Sequence, residues 1–320
     1  MNHQTGSEGW LRENSIHHFS HRAMATVFEM FIQHVEHDYA RQAAQEAFEE
    51  IDRLELELSR FIMNSDISRI STLRNGASTI IGLDAFTCLK MCQMLWRETN
   101  HAFDITIGEV LTLWKNREQV RPDAESIKAA LLHSGFDRIV LGTSEYSVTV
   151  HDENPVCLDL GGFGKGYAVD VAAAFLREWQ IEKALIHGGQ SSSLAMAAPD
   201  GREGWPVTIS HPASNEILYA LDLQFSAISS SGLRKGEHIV DPRTGYPENT
   251  HLASWVVTPS AAEGDALSTA FLLLSRSEIQ AYCEKFSDVC CLLLQKGGQD
   301  EWTAFNWNNK TESSENGCHS

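Results

Sequence analysis

The sequence predicts a globular protein built from both helices and β-strands, and three observations carry that expectation. Tyr39 to Leu58 places Ala40, Ala44, Ala47, Phe48, Ile51, Leu54 and Leu58 every three or four residues, which gathers them on one face of an amphipathic helix. Trp205 to Ile228 breaks into several short strands separated by turns. Between these regions, Cys157 to Asp170 reads as a short buried strand, a glycine-rich turn and a helix running on to about Trp179. With 320 residues the chain can bury a large core, as one large domain or two small ones.

Composition narrows the function classes. The 43 acidic residues outnumber the 25 basic ones, for a formal charge of −18, which disfavours non-specific binding to nucleic acid or to an anionic membrane. The seven cysteines (Cys88, Cys92, Cys157, Cys283, Cys290, Cys291 and Cys318) are odd in number, and several sit in apolar runs. Buried thiols in a reducing compartment fit that pattern better than a disulfide framework, and no CxxC pair suggests zinc. The segment up to Ile16 lacks the apolar core of a signal peptide, and no stretch approaches the roughly 20 apolar residues of a membrane span. A cytoplasmic protein is therefore expected, with residues 1–18 as a polar leader, 19–307 as the folded domain and 308–320 as a disordered tail.

In chain order, His17, His18 and His21 fall in a stretch expected to be solvated rather than metal-binding, since no acidic or cysteine partners stand at fixed spacing. Ala25 to Ile32 reads as a strand, and Ser65-Asp66 as the start of a short helix. Thr79 to Ile81 reads as a strand, followed by a helix capped by Asp84, with Cys88 and Cys92 packed inward. Asp104 and Thr106 point the same way on an extended segment, an arrangement that fits either a ligand contact or a closed turn. Asp123 to Ser134 is a helix, and Arg138 to Gly142 with Tyr146 to Val150 a hairpin. Lys183 to His187 is a strand ending in the small-residue turn Gly188 to Ser193, where backbone can meet a ligand. Ser254 to Thr258 is a strand, Asp265 to Leu274 and Ser277 to Phe286 are helices, and Val289 to Gln295 pairs with Glu301 to Asn306.

Three places can carry chemistry. The turn Gly161-Gly162-Phe163-Gly164-Lys165-Gly166 fits anion binding, because glycines let backbone approach phosphate oxygens, a helix N-terminus follows and Lys165 adds a full charge. A merely structural tight turn fits the same residues, which match neither the dinucleotide fingerprint nor the P-loop. Asp265 and Thr269, four apart at the expected start of a helix, share a face and would suit half of a magnesium site; a helix cap at Asp265 is the plainer alternative. His238 is the best-placed candidate base, since its ordinary pKa near 6.5 lets it accept a proton at neutral pH, although a histidine beginning a strand often serves only in the core. Asp241 and Arg243 are expected to hold their own turn, through an Asx-type bond and a carboxylate pairing.

Taken together, these stretches resemble the ApbE family of flavin transferases. The resemblance lies in Met24-Ala25-Thr26, Ser59-Arg60-Phe61, Ser65 to Arg69, Phe103 to Gly108 with Leu113-Trp114, Asp159 to Asp170, Gly188-Gly189, Ser231-Gly232, His238 to Gly245 and Asp265 to Ala270, in the family's order. It implies an α+β fold of mixed sheets flanked by helices. It also implies FAD as substrate, contacted by Met24, Asp104, Thr106, Gly162, Gly164, Lys165, Gly189, Gln190 and Ser231. Magnesium would be held by Asp265, Thr269 and the Gly164 carbonyl, Lys165 would sit near the diphosphate, and His238 corresponds to the residue proposed as the base. The chain departs from the family at Ala25 (usually Gly), Ile105 (Pro), Gly164 (Ala) and Gln190 (acidic), and its segment from Gly232 to His238 is several residues shorter.

The activity implied by the resemblance is magnesium-dependent transfer of FMN from FAD to a Ser or Thr hydroxyl of an acceptor protein, with release of AMP. Hydrolysis of FAD to FMN and AMP, or flavin binding without turnover, are the alternatives. Asp241-Pro242-Arg243-Thr244-Gly245 partly matches the motif of flavinylated proteins, but Tyr246 and Pro247 break it. The acceptor is therefore expected to be another protein, modified in trans.

Overall fold

The computed structural model describes residues 14–115, 121–232, 239–248, 250–296 and 301–307. A hairpin of β1 (Ile16–Ala23) and β2 (Thr26–Gln33) is followed by the long helix α1 (His37–Leu58), whose buried face includes the predicted Ala40, Ala44, Ala47, Phe48, Ile51, Leu54 and Leu58. The histidine-bearing stretch expected to be solvated leader is thus strand β1. His17 bonds the His34 carbonyl, His18 bonds Glu29 and His21 bonds Asp52, so polar side chains there are used in pairing the strand to its neighbours. Helix α2 (Asp66–Ile70) starts at Ser65, whose side chain accepts from Ser68 N at 3.0 Å.

Strand β3 (Ser78–Ile80) precedes α3 (Leu83–Glu98). Asp84 does not cap α3, because the helix begins one residue earlier with Gly82 as its cap; the carboxylate accepts instead from the Tyr167 hydroxyl at 2.6 Å and pairs with Arg53. Helices α4 (Gly108–Lys115) and α5 (Ala124–Leu131) follow, the latter capped by Asp123. Strands β4 (Ile139–Gly142) and β5 (Ser147–Val150) form the expected hairpin and, with β3, a small antiparallel sheet.

Helix α6 (Gly164–Glu178) leads into β6 (Ala184–Gly188) and β7 (Ser192–Ala195). The pair β8 (Trp205–Ser210) and β9 (Ile217–Leu223) forms a separate ribbon, after which come β10 (Ser226–Gly232), β11 (His251–Thr258), α7 (Ala261–Phe271), α8 (Arg276–Lys285), β12 (Cys290–Gln295) and β13 (Glu301–Phe305). Eight strands make one antiparallel sheet in the order β1-β2-β6-β7-β10-β11-β12-β13. The architecture is α+β, and the parallel pairing among the described residues is the single bridge Ile107 to Cys157.

Both faces of the large sheet are covered, and strand alternation decides which side chain meets which cover. Cys291, Leu293 and Val256 join the core beneath the helices, where Cys88 and Cys92 are also fully buried. Cys290, Leu292, Leu294, Trp255 and Val257 point the other way, against Trp205, Ile209 and Leu221 of the ribbon. Helix α6 lies between α1 and α7 on the helical face, and α7 rests on β10 and β11. No helix among the described residues is long and apolar enough to cross a membrane.

Candidate active site

The site is built where the glycine turn enters α6, beside the middle of α7. Three segments converge on that turn. The stretch 103–108 turns at Ile105-Thr106 and runs alongside 157–159, with Asp159 N donating to the Ile105 carbonyl at 2.7 Å and Gly108 N to the Cys157 carbonyl at 2.9 Å. The Asp159 carboxylate then accepts from Gly161 N at 2.8 Å, which folds the chain back into the turn. Its other oxygen takes the Arg60 guanidinium at 2.9 Å, and the same guanidinium reaches the Gly108 carbonyl and the Thr112 hydroxyl. Arg60 therefore ties three separate stretches of the sequence together. Beside it Phe61 is 78 % exposed, with the Arg60 and Lys115 cations at 5.1 and 5.6 Å from its ring centre.

Helix α7 approaches α6 closely at Gly166, where any Cβ would collide with the backbone of Ala261. That approach brings Asp265, 3 % exposed, against the first turn of α6. Its carboxylate accepts from Gly166 N at 3.0 Å and from the Ser192 hydroxyl at 2.7 Å, and lies 3.5 Å from the Lys165 ammonium. Lys165 also donates to the Gly161 carbonyl at 3.2 Å, so this cation rests between a carbonyl and a carboxylate. One helical turn on, the Thr269 hydroxyl lies 3.1 Å from that of Ser231, which is also 2.9 Å from Ser268. A Cβ on Gly162 would stand 3.3 Å from the Thr269 hydroxyl, which places the turn directly over the hydroxyl pair.

Asp265 is not at the start of its helix, as the sequence reading had it. Ser260 caps α7, accepting from Glu263 N at 3.3 Å, and Asp265 is the fifth helical residue. The plain alternative of a capping Asp265 is thereby overturned, while the shared face with Thr269 stands. The capping carboxylate comes from Asp170 on α6, which accepts from Ser260 Oγ, Ala261 N and Ala262 N at 2.7, 2.8 and 2.9 Å. Burial pushes the Asp170 carboxyl above its ordinary value, against the pull of these donors.

The structure brings Gly162, Lys165, Asp265, Thr269 and Ser231 into one cluster. Gly164 opens α6, its N–H bonded to the Leu160 carbonyl at 2.8 Å, and it is the Gly161 carbonyl that meets the Lys165 cation. The Gly188-Gly189 pair borders the cluster: Gly189 has φ +69° and presses on Thr26, and Gly188 packs against the Lys165 carbonyl, while Met24 lies in the hairpin turn two residues before Thr26. Asp104 accepts from both Thr106 N (2.8 Å) and Thr106 Oγ1 (2.6 Å), and Thr106 Oγ1 accepts in turn from Gly135 N at 2.6 Å. That pair closes a turn beside the site, with burial pushing the Asp104 carboxyl up. Gln190 is exposed, and His238 lies outside the described residues.

The turn that follows position 238 behaves as expected from its residues. Arg243 N and Nε donate to Asp241 Oδ1 at 2.8 and 2.9 Å, and Arg243 Nη2 reaches the Leu273 carbonyl at 2.6 Å. Thr244 is exposed within it, its hydroxyl accepting from Tyr246 N at 3.3 Å, while Trp114 Nε1 donates to the Gly245 carbonyl at 2.8 Å. Ser192, Arg60 and Asp170 are contributors to which the sequence assigned no individual role, although all three stand in stretches it singled out. Ser192 had a signal, since alternation sets it on the same face as buried Leu194.

Comparison with known proteins identifies the family and the fold. Residues 24–293 match the ApbE family. An FAD:protein FMN transferase of Haemophilus influenzae is 24 % identical over 297 residues, covering 86 % of this chain and 85 % of its own. One from Escherichia coli K12 is 30 % identical over 197 residues, 55 % of each chain. The solved flavin transferase ApbE of Vibrio cholerae superposes with a TM-score of 0.83 at 21 % identity, covering 92 % of this chain and 99 % of that one.

Proposed function

The chain belongs to the ApbE family, and from that premise we propose that it is a transferase that moves the FMN half of FAD to a Ser or Thr hydroxyl of an acceptor protein, using magnesium and releasing AMP. The observation that carries the proposal is the set of groups around Asp265, which combines a cation-seeking carboxylate, a helix N-terminus and a lysine at the turn a diphosphate would approach. The donor set suits magnesium, because Asp265, Thr269 and a carbonyl of the glycine turn offer hard oxygens, and a cation already rests between the Gly161 carbonyl and Asp265. Bound there, the metal would neutralise charge on the diphosphate.

The protein's own groups do the rest. Lys165, one quarter exposed, can turn from Asp265 to a phosphate oxygen and stabilise negative charge there. Gly162 keeps the turn free of side chain above Thr269, so backbone can close on the phosphates. The exposed Phe61 ring offers a flat apolar face beside the turn for an aromatic ring system. His238 takes the proton from the attacking hydroxyl, as general base. The acceptor acts in trans: Thr244, the hydroxyl in the partly matching motif, is fixed in a turn anchored by Asp241, Arg243 and Trp114.

Purified protein incubated with FAD, magnesium and an acceptor bearing Asp-x-x-Ser/Thr-Gly-Ala-Ser/Thr should yield a flavin-fluorescent acceptor band on a denaturing gel. Release of FMN and AMP without that band would instead identify a hydrolase. An FMN-mass adduct mapped to Thr244 would overturn transfer in trans.

A further inference from the structure

The β1–β2 hairpin turns through Met24 and Ala25, whose φ angles are +49° and +57°. Two-residue turns that are left-handed at both positions match the twist of paired strands, but they favour Gly and Asn because a Cβ is crowded there. Neither residue here is of that kind, so the turn needs support from outside itself. Helix α1 supplies it: Glu55 Oε2 accepts a hydrogen bond from Met24 N at 2.8 Å. The same turn leads directly into the site wall. Thr26 presses on Gly189, Gly189 N donates to the Val27 carbonyl at 3.0 Å, and Gly188 rests on the Lys165 carbonyl. A shift of the turn would therefore pass through Thr26 and the Gly188-Gly189 pair to the first turn of α6.

We propose that Glu55 is a positioning residue for the flavin site: its carboxylate fixes the strained Met24-Ala25 turn and so sets the Gly188-Gly189 wall that rests on the first turn of α6. This rests on the transferase reading and assigns that site a support it draws from α1. The charged acceptor makes the bond one of the stronger kind. It also makes position 25 the natural place for rescue, since glycine adopts positive φ without a Cβ penalty.

Four variants test the proposal: Glu55→Ala, Glu55→Gln, Ala25→Gly and the double variant Glu55→Ala/Ala25→Gly. FAD affinity is read by flavin fluorescence, turnover with magnesium and acceptor gives KM and kcat, and thermal unfolding gives Tm. Glu55→Ala should weaken FAD binding about tenfold, as loss of a charge-assisted bond would, and raise the KM for FAD while kcat is kept. Glu55→Gln keeps an acceptor oxygen and should stay near wild type, and Ala25→Gly should restore most of what Glu55→Ala loses. Unchanged FAD affinity in Glu55→Ala, or no rescue by Ala25→Gly, would overturn the proposal. Failure of the transferase reading shows separately, as wild-type protein that leaves the acceptor unmodified, whether or not it binds FAD. The Tm values then judge the support itself: strictly additive shifts at positions 55 and 25 would refute it.

Discussion

Helices α6 and α7 exchange carboxylates. Asp170 on α6 reaches the first turn of α7, and Asp265 on α7 reaches the first turn of α6. The partners differ in kind. Asp170 is held by two backbone N–H groups and a capping hydroxyl, all belonging to the helix end it stabilises. Asp265 takes one backbone N–H and one hydroxyl, and its third partner is the Lys165 ammonium at 3.5 Å, on a flexible chain that is one quarter exposed. Fixed donors make a carboxylate part of the fold. A cation that can leave, with the hydroxyls of Thr269 and Ser231 one turn away, suits the other to the proposed site.

The largest effect should come from removing the exchangeable carboxylate. Asp265→Ala is expected to lower magnesium-dependent flavin transfer by about a hundredfold or more, since a held cation supplies several kcal/mol of charge stabilisation. Circular dichroism should remain native. Normal magnesium-dependent transfer in this variant would erase the distinction between the two aspartates. Asp170→Ala should act on the fold, costing about 2–4 kcal/mol by the loss of a cap and the stranding of buried N–H groups. Urea unfolding measures it, and the magnesium dependence of the remaining native protein should be unchanged.

Much of this arrangement was readable from sequence, and what was not has a physical reason. Helix α1, the β4–β5 hairpin, the Ser65 cap and the Asp241-Arg243 turn follow from local periodicity and local hydrogen bonds, so a short window of residues contains their cause. The start of α7 was missed although Ser260 and Glu263 carry a capping spacing, because Ala261 to Gly264 offers no large apolar residue to announce a helix. Strand β1 was missed because histidines stand at two of its three half-buried positions, 17 and 21, where apolar side chains would announce a strand. The carboxylate exchange itself could not be read. Asp170 meets Ala262 across 92 residues and Asp265 meets Gly166 across 99, and only the folded chain sets those distances.

Lys165→Ala sharpens the comparison by taking away the partner that can leave. FAD binding should weaken by roughly 10–100-fold, the loss of one charge-assisted contact of about 1.5–3 kcal/mol, whereas riboflavin, which has no phosphate, should bind as before. Isothermal titration with both ligands decides it. Equal losses for the two would place the ammonium away from the diphosphate and leave Lys165 as fixed a partner of Asp265 as the α7 backbone is of Asp170.

The smallest effect concerns what it costs to bury a carboxylate among fixed donors. Burial raises the folded-state pKa of Asp170 above that of an unfolded aspartate, near 3.9, despite its three donors. Between the unfolded and folded values the native state holds more proton than the unfolded chain, so this group's contribution to stability falls as pH rises through that window. Asp170→Asn removes the titration. Asp104, also raised by burial, remains in both proteins and cancels in the difference, whereas Glu263, which the Asp170 charge helps to raise, loses that part in the variant and adds to the decline. Urea unfolding of wild type and Asp170→Asn from about pH 4 upward should give a stability difference, wild type minus variant, that declines with pH and then levels off above the native pKa. A difference that grows with pH would mean that the Ser260, Ala261 and Ala262 donors outweigh burial. Asp170 would then be a carboxylate whose charge the fold favours.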